Sequence, residues 1–293
     1  MAAAFLVAAD AGAQSPVFRL EVDVVPVAVT VTDGDGHFIT DLSADDFALF
    51  ENGVEQEITV FDHARTPVAL TVLLDASGSM HRFLGDAKRA AGGLLQILRP
   101  IDVASVSAFS GRSRVVQEFT GDMAALRRSL ESITAGGATT LYDALYIAVA
   151  QTQRFVRRTP AIPRRQVVVV LSDGRDTTSL LPLDDVLQRV RESGAVVYTI
   201  RLRPQVAFPV QDTNRGHDEY VLRQMAEATG GRAFFVATGA GLADAYARIA
   251  RELTSQYVLA YTAGAGGERW RRIEVRVNRE GSTIRAREGH AVR

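Results

Sequence analysis

The chain has 293 residues, 33 Lys plus Arg against 34 Asp plus Glu, and a formal net charge of −1. That length allows one large or two ordinary domains, and the 47% hydrophobic and 23% charged fractions are those of an ordinary globular protein. Near-neutrality gives no reason to expect nucleic acid as a partner. With no cysteine, these 293 residues offer no disulfide, thiolate metal site, cysteine nucleophile or lipoprotein anchor cysteine.

Residues 1–14 start with the small apolar run Met1–Ala9 and reach Ala11-Gly12-Ala13, which has the A-x-A form of a signal-peptidase site. No positive region precedes it and Asp10 interrupts the apolar core. The segment reads as a truncated signal peptide of an exported protein (periplasmic, envelope-bound or secreted), with an Ala-rich tail as the alternative. No other segment approaches the roughly 18 apolar residues needed to span a membrane.

Residues 15–65 have β periodicity. Val27, Val29 and Val31 alternate with Ala28, Thr30 and Thr32, predicting one buried and one exposed face. Asp33-Gly34-Asp35-Gly36 supplies a turn leading to Phe38, and Ser43 with Asp46 can cap one helical turn. Phe47–Phe50 and Ile58–Phe61, joined through Glu51-Asn52-Gly53, read as a second hairpin.

From 66 to 255 strands and helices alternate, the pattern of a doubly wound, mostly parallel sheet. Val68–Leu74 and Arg165–Leu171 are unbroken apolar runs suited to strands buried on both faces. Ala104–Phe109 and Arg114–Phe119, joined by a short Ser-Gly turn, predict one antiparallel edge strand. Helices are expected near Phe83–Leu98, Met123–Ile133, Leu141–Val156, Leu183–Glu192, Glu219–Thr229 and Leu242–Leu253. Arg157, Arg158, Arg164 and Arg165 read as a solvated helix end. Residues 256–293 return to β, with Ile273, Val275 and Val277 alternating against charged neighbours. Neither flank can bury a sheet face alone, so the two are expected to form one small all-β, sandwich-like domain with the α/β domain inserted between them. Two separate β extensions are the alternative.

The chemistry-bearing residues collect where these elements meet. Val68–Leu74 ends in Asp75-Ala76-Ser77-Gly78-Ser79, three oxygen-bearing side chains at alternate positions. Arg165–Leu171 ends in Ser172-Asp173-Gly174, and Gly136-Gly137-Ala138-Thr139-Thr140 leads into a helix. Ligands of open α/β sheets sit beyond the carboxyl ends of the strands, and an all-oxygen set suits Mg²⁺, Mn²⁺ or Ca²⁺. On its own the Asp75 motif can equally cap a helix.

In this order, the segments resemble the metal-ion-dependent adhesion site of von Willebrand factor type A (VWA) domains. The resemblance carries metal-ligand roles onto Asp75, Ser77, Ser79, Thr139 and Asp173. It implies a Mg²⁺-type cation that grips an Asp or Glu of a protein partner, and a last helix whose displacement accompanies capture. Integrin β subunits offer an analogy for a VWA domain inserted into β structure. Asp41-Leu42, Asp46-Phe47, Glu51-Asn52-Gly53, Gln256–Tyr261 and Arg287–His290 further resemble exported bacterial VWA-related domain proteins, first described from acidobacteria. The connection 204–216 is expected at the metal rim, where Phe208 and Pro209 are candidate partner contacts.

The alternatives are a structural envelope protein without a working metal site and a haloacid-dehalogenase-like phosphotransferase. The latter needs a second carboxylate where Ser77 stands and a lysine from a later element, whereas Lys88, the one lysine, follows the Asp75 loop directly. No G-x-S-x-G or G-x-x-x-x-G-K-[ST] motif occurs.

Overall fold

A computed structural model describes residues 23–63, 65–173, 176–203, 215–264 and 268–292. The signal-peptide-like segment, Gly174 and the Phe208-Pro209 contacts lie outside the described residues. The N-terminal flank forms β1 (Asp23–Thr32), a capped 3-10 turn at Ala44–Asp46, β2 (Phe47–Glu51), β3 (Val54–Gln56) and β4 (Val60–His63). Ser43 and Asp46 make the expected reciprocal capping box.

The α/β segment runs β5 (Val68–Asp75), α1 (Leu84–Leu95), β6 (Val103–Phe109), β7 (Ser113–Thr120), α2 (Met123–Glu131), α3 (Leu141–Arg158) and β8 (Arg165–Ser172). It continues with α4 (Leu183–Glu192), β9 (Val196–Leu202), α5 (Arg215–Glu227), β10 (Ala233–Val236) and α6 (Gly239–Ser255). The C-terminal flank gives β11 (Tyr257–Ala263), β12 (Trp270–Val277), β13 (Thr283–Arg285) and β14 (Gly289–Ala291).

The central sheet has the order β10-β9-β8-β5-β6-β7, parallel except for edge strand β7. Strand residues point alternately to opposite faces, so β5 feeds two cores at once. Leu70, Val72 and Leu74 pack with Leu94 of α1, Leu126 of α2 and Ile249 of α6. Leu73 packs on the other face with Leu145 of α3, Val190 of α4 and Val221 of α5. Each such fully buried aliphatic contributes about 1.5–3 kcal/mol. Thr71, on the α3 side, is satisfied by the Ser105 and Thr152 hydroxyls at 2.9 and 2.8 Å. No helix among the described residues is long and apolar enough to cross a membrane.

The flanks interleave in two antiparallel sheets, β13-β1-β11-β4 and β14-β12-β2-β3. Val25, Val27, Val29 and Val31 of β1 share one core with Phe47, Leu49, Leu259, Tyr261 and Ile273. The flanks therefore form joint sheets.

Three expectations are corrected. The partner of β2 is β3, while Val60 and Phe61 of the expected hairpin arm cross into the other sheet to pair with β11. Thr30 and Thr32 are buried, because the second face of β1 lies against the α/β domain, where Thr30 Oγ1 donates to Glu252 at 3.2 Å. Arg165 is buried at the start of β8, donating to the Thr66 carbonyl at 3.3 Å and to Gln256 Oε1 at 3.2 Å.

Candidate metal centre

Parallel pairing sets the site. Asp75 at the end of β5 is paired with Phe109 of β6, and the β5–β8 register puts it beside Ser172. The Asp75 side chain is fully buried, and each oxygen has a donor. Oδ1 accepts the Ser77 N–H at 2.8 Å and Oδ2 the Ser172 hydroxyl at 2.6 Å. Among the described residues it has no basic partner. Burial pushes its carboxyl up, the Ser172 and Ser77 donors pull the other way, and the Asp173 charge adds to the rise.

Ser77 begins the 3-10 turn Gly78–Arg82, yet its side chain makes no capping bond there. The helix-cap explanation of the motif thus loses its hydroxyl, which instead lies 3.1 Å from Ser79 Oγ. The glycine loop is clasped to the same turn: Gly136 N–H donates to Ala76 O at 2.7 Å and Gly78 N–H to Gly137 O at 3.0 Å. Gly137 has φ +87, a left-handed conformation that a side chain would strain, and a Cβ would come within 3.4 Å of Ser110 Oγ.

Thr140 spends its hydroxyl and N–H on the Ser110 carbonyl, at 2.8 and 2.9 Å. Thr139 is held differently, through its backbone. Its N–H donates to Thr177 Oγ1 at 3.0 Å, and its carbonyl accepts the N–H groups of Thr177 and Thr178 at 2.9 and 3.2 Å. The Thr139 hydroxyl carries no hydrogen bond among the described residues. Asp173 follows Ser172 directly, is partly exposed, and its carbonyl accepts Arg201 Nε at 2.9 Å. The five expected ligands thus lie on three loops tied to one another at the carboxyl end of the sheet. Lys88, the lysine considered for an enzyme, donates instead to the Glu131 carbonyl at 2.8 Å.

Ser172 and Thr177 were not among the residues expected from the sequence. Ser172 is adjacent to a chosen ligand, but its bond depends on the β5–β8 register, which local pattern does not reveal. Asp143, in the first turn of α3, was also missed. Its carboxylate accepts the N–H groups of Leu180 and Leu181 at 3.0 and 2.9 Å. A second gathering of ligand types at Asp33, Asp35 and His37 is a turn in which Asp33 Oδ1 accepts the N–H groups of Asp35 and His37 at 3.0 and 2.8 Å.

The donor set fits a hard divalent cation. It is all oxygen, and it holds a buried carboxylate beside a second one without a basic side chain on the first. The sequence profile of the von Willebrand factor type A domain matches residues 69–248, more than half of the chain. The chain belongs to the von Willebrand factor type A family. No curated protein matches it. Among solved structures, a von Willebrand factor type A protein from Catenulispora acidiphila is 14% identical, with TM-score 0.53, covering 91% of this chain and 73% of its own. The SpaC pilus adhesin of Lactobacillus rhamnosus GG, in an open conformation, is 10% identical with TM-score 0.53, covering 88% and 47%. An aerotolerance-related membrane protein from Bacteroides fragilis is 20% identical with TM-score 0.50, covering 64% and 98%. At these identities the likeness is one of fold. The first two extend beyond the VWA match, into the β flanks.

Proposed function

We propose that this VWA protein is a metal-dependent protein-binding module, in which Asp75, Ser77, Ser79, Thr139 and Asp173 hold a Mg²⁺-type cation that captures an Asp or Glu of a partner. The observation that carries this reading is the fully buried Asp75 carboxylate, without a basic partner among the described residues and beside the Ser77 and Ser79 hydroxyls. Such a carboxylate is unfavourable in a folded chain unless something positive joins it. A divalent cation with few direct anionic ligands would supply an electron-poor centre that accepts one more carboxylate.

The chain's own residues arrange that capacity. Ser172 and the Ser77 N–H orient Asp75, while Thr177 and Thr178 fix the backbone of Thr139. Support of a coarser kind comes from the fold likeness to a protein described as a pilus adhesin. Export to the periplasm, envelope or exterior is part of the same proposal, resting on Ala11-Gly12-Ala13 and its apolar lead.

Isothermal titration calorimetry of the full chain tests the site. Mg²⁺ or Mn²⁺ should bind the wild type, and Asp75→Ala or Ser77→Ala should abolish the heat. Unchanged affinity in folded variants overturns the assignment. Phosphatase turnover that disappears in Asp75→Asn would favour the phosphotransferase instead.

A further inference from the structure

Leu180 is 91% exposed, more than any other large hydrophobic side chain among the described residues. A lone apolar residue on a surface needs no explanation, but the loop that presents this one is fastened along its length. Asp143 accepts the N–H groups of Leu180 and Leu181 at 3.0 and 2.9 Å. Ser179 Oγ donates to Asp176 at 2.6 Å and accepts the Asp143 N–H at 3.2 Å. Thr177 and Thr178 are bonded to Thr139, a proposed metal ligand. Leu181 packs against the α3–α5 core, leaving Leu180 outward. The Asp143 bonds hold the backbone at Leu180, and in that backbone its side chain stands in solvent.

Leu180 lies three positions after Thr177, at most roughly 10 Å of chain. The carboxylates Asp143 and Asp176, bonded to the loop that carries Leu180, disfavour a partner that is acidic throughout. One acid can meet the cation, and what lies beside it is best neutral and apolar. We propose that Leu180 is a specificity-determining contact: the partner segment that offers a carboxylate to the Asp75–Thr139 site also offers an aliphatic or aromatic side chain, about three residues away at extended-chain spacing, that packs on Leu180. This inference rests on the metal-dependent reading above and names its partner class.

The test is selection of a displayed random peptide library on the full chain, in Mg²⁺ against EDTA. The wild type should enrich peptides with one Asp or Glu and an apolar residue within about three positions of it. Leu180→Ser, with Mg²⁺ affinity unchanged by calorimetry, should still enrich the acid but lose the apolar position. It should bind the best wild-type peptide about tenfold or more weakly, a loss that Leu180→Met largely restores. Acid enrichment without an apolar position, or an apolar preference that survives Leu180→Ser, overturns this inference alone. Absence of any Mg²⁺-dependent acid enrichment in the wild type overturns the metal-dependent reading and this inference with it.

Discussion

Ser172 Oγ donates a 2.6 Å hydrogen bond to Asp75 Oδ2 across the parallel β5–β8 pair, joining residues that are far apart in sequence. Both side chains are buried, and a bond to a buried charged group contributes about 1.5–3 kcal/mol. Ser172→Ala should therefore lower unfolding stability by about 1–3 kcal/mol in urea with an unchanged m-value. It should also weaken Mg²⁺ binding roughly tenfold or more, as loss of an orienting group does at metal sites. Wild-type stability and affinity in that variant would show that the bond orients nothing.

Asp75→Asn should separate stability from binding. Burial raises the Asp75 carboxyl above its ordinary 3.8, so the folded chain holds this proton more tightly than the unfolded chain does. Metal-free stability therefore falls as pH rises from 3.8 through the raised folded value, and above that the buried charge is a standing liability. The amide removes the charge and can keep its oxygen on the Ser77 N–H, while its NH2 faces Ser172 Oγ, a hydroxyl that can turn from donor to acceptor. Metal-free Asp75→Asn should melt a few degrees higher at pH 7, the shift given by about 1 kcal/mol in a domain of this size. Mg²⁺ should raise the melting temperature of the wild type only. A lower melting temperature in metal-free Asp75→Asn contradicts this.

Asp102 governs the opposite end of β5. Its carboxylate accepts the N–H groups of Val68 and Arg99, each at 2.8 Å, and the Arg99 guanidinium at 3.0 Å. Burial alone would raise it, but the guanidinium and the two N–H donors overcome this and hold it below the usual range. The sign is therefore opposite to that of Asp75. Its contribution is complete above 3.8 and is lost as pH falls through the lower folded value. Asp102→Ala should cost about 2–4 kcal/mol at pH 7, discounted because Arg99 is partly exposed to solvent. The difference from wild type should shrink in acid; a gap constant to pH 2.5 would assign the loss to packing.

The continuous apolar runs made the parallel sheet legible, because strands buried on both faces have no polar alternation to mislead. The loops that carry the proposed ligands were legible for a related reason: each follows such a strand or a glycine pair. The flank hairpin was misread because β3 spans only Val54–Gln56 and Val54 is 64% exposed, so it carries no burial pattern. Thr30 and Arg165 were read as solvent-facing because a polar residue reports its own character, not the domain that will cover it. Their partners, Glu252 and Gln256, lie near the end of the α/β segment.

Glu252 makes the junction itself testable. Buried in α6, it accepts the Tyr198 hydroxyl at 2.6 Å and the Thr30 hydroxyl at 3.2 Å, and it faces Arg285 of β13 at 2.5 Å. Removing Glu252 takes the carboxylate from the partly buried Arg285 and the acceptor from the Tyr198 hydroxyl, so Glu252→Ala should destabilise by about 2–4 kcal/mol. Hydrogen exchange should report faster opening in both α6 and β1. Exchange confined to α6 would mean that the two domains are independent. If the last helix carries a binding signal to the sandwich, protection of Leu242–Tyr261 should also change when a selected peptide saturates the wild type, and unchanged protection removes that idea.

The interleaving of the two flanks also favours one order of events during folding. His63 at the end of β4 is paired with Tyr257 at the start of β11, so the chain leaves the sandwich and returns to it at adjacent positions. Every pairing between β1 and β11, or β2 and β12, must otherwise close a loop the length of the α/β domain, an entropic barrier that slows non-local strand pairing. Once the α/β domain has formed, its ends hold the two flanks side by side and the long closure becomes a short one. By that argument the α/β domain is the natural template for the sandwich, and N-terminal strands without it keep unpaired edges.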